Sequence, residues 1–168
     1  MKIDITSMSA HDWPVVSRIY QEGIETGMAT FEVNVPTWEE WDGNHLETGR
    51  FIARDSQSEI SDVLGWAALS PVSSRCVYGG VAEVSVYVSA ASYGKGVGRA
   101  LIEGLIHESE RVGIWTLQSG IFPENVASIR LHEKVGFRKI GYRERIGKLD
   151  REWKDNVLME RRSSKVGI

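Results

Sequence analysis

The chain has 168 residues, 42% apolar and 26% charged, with a formal net charge of −3. These proportions fit one globular domain over residues 1–168 and exclude a disordered, fibrous or strongly basic nucleic-acid-binding protein. A single cysteine, Cys76, excludes a disulfide framework or a zinc site built on cysteine pairs; with no membrane-length apolar run and no signal-like start at Met1-Lys2-Ile3-Asp4, a cytoplasmic protein with no membrane partner is expected.

Residues 2–6 alternate as a short first strand. Ser9 is placed to cap a helix over about residues 11–23, with Trp13, Val15 and Ile19 on its apolar side. A second helix follows Pro36, where Thr37-Trp38-Glu39-Glu40 has capping-box spacing. Residues 51–54 and 63–70 read as strands joined by a polar turn over 55–62. The clearest strand is 81–89: Ala82, Val84, Val86 and Val88 face one way, Glu83, Ser85 and Tyr87 the other. Then comes Gly94-Lys95-Gly96-Val97-Gly98-Arg99, opening a helix whose Val97, Leu101, Ile102, Leu105 and Ile106 form an apolar stripe ended by Gly113. A strand over 114–122, a short helix over 125–135 and strands over 137–146 and 153–161 complete the order βααβββαβαββ. The fold class is α/β with a mixed sheet and about four flanking helices.

A strand, a glycine cluster and a helix start in succession can aim several backbone N–H groups at an anion, and phosphate is the natural guest. The Gly-Lys-Ser/Thr of a P-loop is absent. The spacing is Gly-x-Gly-x-Gly, and strand 114–122 carries no acid, so a dinucleotide fingerprint is not met either. A tight turn at a helix start, with no ligand, is the alternative reading of the glycines.

Val86-Tyr87-Val88, the Gly94–Arg99 cluster and Asn125-x-x-Ser128-x-x-Leu131-His132-x-x-x-Gly136-Phe137 together resemble the GNAT superfamily of acetyl-CoA-dependent N-acyltransferases. Ala29-Thr30-Phe31, Pro36-Thr37, Gly65-Trp66-Ala67, Glu83-x-Ser85, Gly147-Lys148, Trp153 and Asp155 extend the likeness to its phosphinothricin and methionine-sulfoximine N-acetyltransferase branch. The resemblance implies a mostly antiparallel sheet splayed at the cofactor site. It implies that Gly94, Lys95, Gly96, Val97, Gly98 and Arg99 hold the diphosphate of acetyl-CoA, and that Val86, Tyr87 and Val88 pair with its pantetheine arm. Asn125 and Ser128 belong to the next helix's share of that site, and Lys134 is expected near the nucleotide end. Tyr93 departs from the usual Gln or Arg of the loop.

Glu83 is the expected general base, since acyl transfer needs a neutral amine. His132 stands where many relatives carry a proton-donating Tyr, which leaves the acid open. By the same resemblance Arg75, Lys148, Phe31 and Tyr78 would form the pocket for a small-molecule amine acceptor, in a homodimer. The alternatives are a peptide or protein N-terminal acetyltransferase and a non-catalytic acyl-CoA sensor. The histidines His11, His45, His107 and His132 have no ligand-like spacing, so no metal is expected. The six tryptophans read as core or dimer contacts, and Arg143, Arg145 and Lys148 as a solvated face or pocket rim.

Overall fold

The computed structural model describes residues 1–58 and 62–168. The order of elements is the expected one: β1 (Ile3–Ser7), α1 (Trp13–Glu25), α2 (Trp38–Asn44), β2 (Phe51–Asp55), β3 (Val63–Pro71), β4 (Val81–Val88), α3 (Val97–Arg111), β5 (Thr116–Ile121), α4 (Val126–Lys134), β6 (Arg138–Leu149) and β7 (Glu152–Arg162). Part of the turn expected over 55–62 lies outside the described residues.

Local chemistry sets the boundaries. Residues 10–12 form a 3-10 turn, so α1 begins at Trp13 rather than His11. Ser9 caps that turn through Asp12, and Pro14 occupies the first helical turn, where its missing N–H costs nothing. The capping box before α2 is formed: Glu40 N–H donates to Thr37 Oγ1 at 3.2 Å and Thr37 N–H to Glu40 Oε2 at 2.9 Å.

The described residues form a seven-stranded sheet in the order β1-β2-β3-β4-β5-β7-β6. Neighbours are antiparallel except β4 and β5, which run parallel. The alternation along β4 separates two cores. Ala82 and Val84 pack with Val97, Leu101, Ile102 and Leu105 of α3 on one face. Tyr87 packs on the other with Val16, Ile19 and Tyr20 of α1 and with Trp41 and Trp66. Burying each such aliphatic side chain contributes about 1.5–3 kcal/mol before entropy is counted. Trp41 and Trp66 are core residues as expected, whereas Trp153 is exposed. No helix among the described residues is long and apolar enough to cross a membrane.

Candidate active site

Among the described residues, the only parallel pairing in the sheet is also the shortest one. β4 and β5 share just the rungs Val81↔Thr116, Ala82↔Leu117 and Glu83↔Gln118. Beyond Glu83, β4 stays with β3 up to Val88, and β5 stays with β7 up to Ile121. Each strand follows its antiparallel neighbour, so sheet twist draws the two apart. This leaves the 84–88 edge of β4 without a strand partner on that side.

The wedge opens into a cavity of about 990 Å³. Glu83, Ser85 and Tyr87 of β4, Gln118 of β5, Asn125, Ser128 and His132 of the α4 segment, and Phe31 all contribute to its wall. Val86 also reaches the wall, while Val88, paired with Gly65, does not. Glu83 is half-buried, and its Oε2 accepts a hydrogen bond from Gln118 Nε2 at 3.1 Å. Tyr87 stacks on Tyr20 with ring centroids 4.8 Å apart. Burial pushes the Tyr87 hydroxyl well above its ordinary pKa, so it stays neutral.

The glycine cluster lies beyond the cavity wall, after a 3-10 turn over Ala90–Ser92. Gly94 and Gly96 take φ values of 74° and 84°, which glycine adopts without strain. Among the described residues, the N–H groups of Gly94, Gly96, Val97, Gly98 and Arg99 donate to no acceptor. The first bond of α3 runs from Ala100 N–H to Gly96 O at 3.1 Å. Five free donors at one helix start make a fitting cradle for a diphosphate. The side-chain cations there have local partners: Lys95 Nζ donates to Ala91 O at 2.7 Å and Arg99 Nε to Glu103 at 2.8 Å.

Several residues named from sequence stand elsewhere than expected. Asn125 does reach the wall, but its Oδ1 caps α4 by accepting from Ser128 N–H at 3.2 Å. Its Nδ2 donates to Met28 O at 3.4 Å, tying α4 to the loop after α1. Lys134 sits in a separate surface groove with Glu103, His107, Glu110 and Arg161, beside the later turns of α3 rather than its start. Arg75 lies over the Tyr78 ring at 5.6 Å and Lys148 over the Trp153 ring at 4.6 Å. All four of these side chains are exposed, and the structure brings neither Arg75, Tyr78 nor Lys148 to the cavity.

The one lysine or arginine on the cavity wall among the described residues is Arg143, which is exposed. The register of β6 against β7 slips between Arg143 and Gly147, with Arg145 at φ 50°. Asp155 holds that bulge by accepting from Arg145 N–H at 2.7 Å and from the Tyr142 hydroxyl. The bulge brings Arg143 and Ile146 to the wall. Phe31 lines the cavity, edge-on to Phe122 at 4.7 Å.

His132 bears on the acid that the sequence leaves open. It is 1% exposed, and its Nδ1–H donates to Ser128 O at 2.7 Å. Burial holds its pKa below the ordinary histidine value, opposed by that bond. The ring is therefore neutral, with a bare, buried Nε2 that has no partner among the described residues. Such a nitrogen accepts a proton; it does not donate one.

The chain is similar to known proteins in sequence and in fold. The family model described as the acetyltransferase (GNAT) family matches residues 13–137. A phosphinothricin N-acetyltransferase of Streptomyces coelicolor is 32% identical over 149 residues, 84% of this chain and 86% of that protein. An L-methionine sulfoximine/L-methionine sulfone acetyltransferase of Pseudomonas aeruginosa is 27% identical over 165 residues, covering 95% of this chain and 94% of its own. The crystal structure of a GNAT superfamily phosphinothricin acetyltransferase from Sinorhizobium meliloti, in complex with AcCoA, superposes with a TM-score of 0.87. It is 28% identical, over 99% of this chain and 91% of that one.

Proposed function

Because the chain belongs to the GNAT acetyltransferase family, we propose that it transfers the acetyl group of acetyl-CoA to the amino group of a small amino-acid-like acceptor. The observation that carries this reading is the parting of β4 and β5 beside Glu83, with five unclaimed N–H groups at the start of α3.

Acetyl-CoA supplies an acyl group already activated as a thioester. The backbone donors of residues 94–99 fit its diphosphate, and the free edge of β4 at Val86–Val88 fits its amide-bearing arm as an added strand would. A backbone N–H near Val86 polarises the thioester carbonyl. Glu83 takes a proton from the acceptor's ammonium and passes it to solvent, leaving a nucleophilic amine. The second proton, given up by the nitrogen as it is acylated, balances the departing thiolate, so no donor at His132 is required. Arg143 offers a planar fork to the acceptor's carboxylate. Residues 28–45 close one side of the cavity with Thr30, Phe31, Val35 and Trp41, which supports a small free acceptor over an extended peptide.

Thiol release is measured with acetyl-CoA against phosphinothricin, methionine sulfoximine, methionine sulfone and short peptides. Turnover of the free amino-acid analogues is expected. A preference for peptides, or no thiol release with any amine, overturns the reading. Glu83→Gln is expected to keep acetyl-CoA binding and to lose about 10²–10⁴-fold in kcat/KM, most at low pH, where fewer acceptor molecules are already neutral. Unchanged turnover across pH removes Glu83 from the mechanism.

A homodimer belongs to the same reading. Ile140, Tyr142 and Trp153 are 40%, 59% and 55% exposed on the β6–β7 hairpin, an apolar surface suited to a second copy. Light scattering is expected to give two chains per particle, and a monomer at micromolar concentration refutes it.

A further inference from the structure

Gln118 occupies a position that the mechanism above does not use. It faces Glu83 across the last rung that β4 and β5 share, where the sheet begins to open. Paired residues of parallel strands project to the same face, and both side chains line the cavity. The Gln118 amide donates to Glu83 Oε2 at 3.1 Å. Among the described residues this is the only hydrogen bond to that carboxylate, and no cation forms an ion pair with it. An ionised carboxylate only accepts, so the amide must present its NH₂ end.

We propose that Gln118 is a positioning residue for the base: it anchors Oε2 of Glu83 so that Oε1 is presented to the acceptor's ammonium. This rests on the reading of Glu83 as the base. The anchor is itself rigid. The Gln118 backbone is paired with Glu83 on one side and with Glu160 of β7 on the other, so its amide is offered from a strand bonded along both edges. Glu83 has three side-chain torsions and no cationic partner; without the amide it would sample rotamers that withdraw it from the amine. Misplacing a catalytic group by about 1 Å costs on the order of 10²-fold in rate.

Gln118→Met keeps the length of the side chain and removes the donor; Gln118→Asn keeps a donor and shortens the reach. Both are made alone and together with Glu83→Gln, and kcat, KM for acetyl-CoA and Tm are measured for each. The expected result for Gln118→Met is a fall in kcat of about 10–100-fold, with Tm retained and KM for acetyl-CoA within about twofold. Gln118→Asn is expected to fall between it and the parent. In the Glu83→Gln background, Gln118→Met should cost nothing further, because there is no carboxylate left to hold. General damage to the fold would instead multiply the two losses, and that outcome overturns the proposal. A slow Glu83→Gln beside a Gln118→Met of parental rate overturns this inference alone. Parental turnover in Glu83→Gln overturns the base assignment and this inference with it.

Discussion

Replacing Gly65 by alanine asks whether the cofactor edge of β4 depends on a close backbone approach. Gly65 pairs with Val88 across β3 and β4, and its own φ is not positive, so alanine is conformationally acceptable there. Space is what forbids it. A Cβ at this position would stand 2.6 Å from the carbonyl oxygen of Tyr87, 3.2 Å from Val88 Cα and 3.1 Å from Leu101 Cδ1. Leu101 can yield by rotating; the two strand atoms cannot move without stretching the β3–β4 rungs. Close carbon–oxygen contacts in sheets begin near about 3.3 Å, so the Tyr87–Val88 segment has to back away by roughly 0.7 Å. Overpacking of this kind costs about 1–3 kcal/mol, and the lower backbone entropy of alanine returns about 0.5–1. Taken at mid-range, the net loss of about 1.3 kcal/mol corresponds to a Tm lower by roughly 3–5 °C in a chain of this length. The same displacement moves the strand edge assigned to the pantetheine arm, so KM for acetyl-CoA should rise about tenfold, equivalent to about 1.4 kcal/mol, with a smaller change in the acceptor's KM. Thermal melting and steady-state kinetics with acetyl-CoA varied read both effects. A Gly65→Ala variant with the parental Tm and KM would refute the reasoning.

Arg143→Gln removes the one lysine or arginine on the cavity wall among the described residues, while Glu32, Glu40 and Glu83 remain there. The acceptor's KM should rise about 10–100-fold, as for loss of a charge-assisted pair, with KM for acetyl-CoA unchanged; a rise in the latter alone would place the arginine at the wrong substrate. At the far end of α3, the Arg111 side chain, and then the Thr48 hydroxyl at 2.6 Å, hold the Glu108 carboxyl down at about 2 against an ordinary 4.5. A depressed carboxyl stabilises the fold fully above its unfolded value, and that contribution is lost as pH falls from 4.5 through about 2. Thr48→Val should therefore cost about 1 kcal/mol at pH 7, with the difference from the parent shrinking across that window. Melting curves from pH 7 to pH 2 test this, and a constant difference contradicts it.

How much of this was legible beforehand depends on the range of the interaction concerned. The capping box at Thr37, the apolar stripe of α3 and the alternation of β4 arise between residues two to four apart, and all three are in the structure as read. The glycine cluster was legible for a similar reason, since a run of free donors at a helix start is a property of six consecutive residues. Glu83 and Phe31 were found because they stand beside such local signals.

Sequence alone thus determined which segments are strands and helices, which face of each is apolar, and where a run of free backbone donors opens a helix. Tertiary structure decided who meets whom in the cavity. Gln118 reaches Glu83 only because β5 enters the sheet beside β4, 35 positions away in the chain. Arg143 reaches the cavity wall, and Lys148 lies over Trp153 instead, beside a bulge that Asp155 holds from the neighbouring strand. Whether His132 could donate a proton was open in the sequence; burial, which lowers its pKa against the bond to Ser128, keeps the ring neutral, packed edge-on to Phe137. Periodicity is written by neighbours along the chain, whereas a side chain's direction, solvation and partner are set by strands and loops that fold against it from far away.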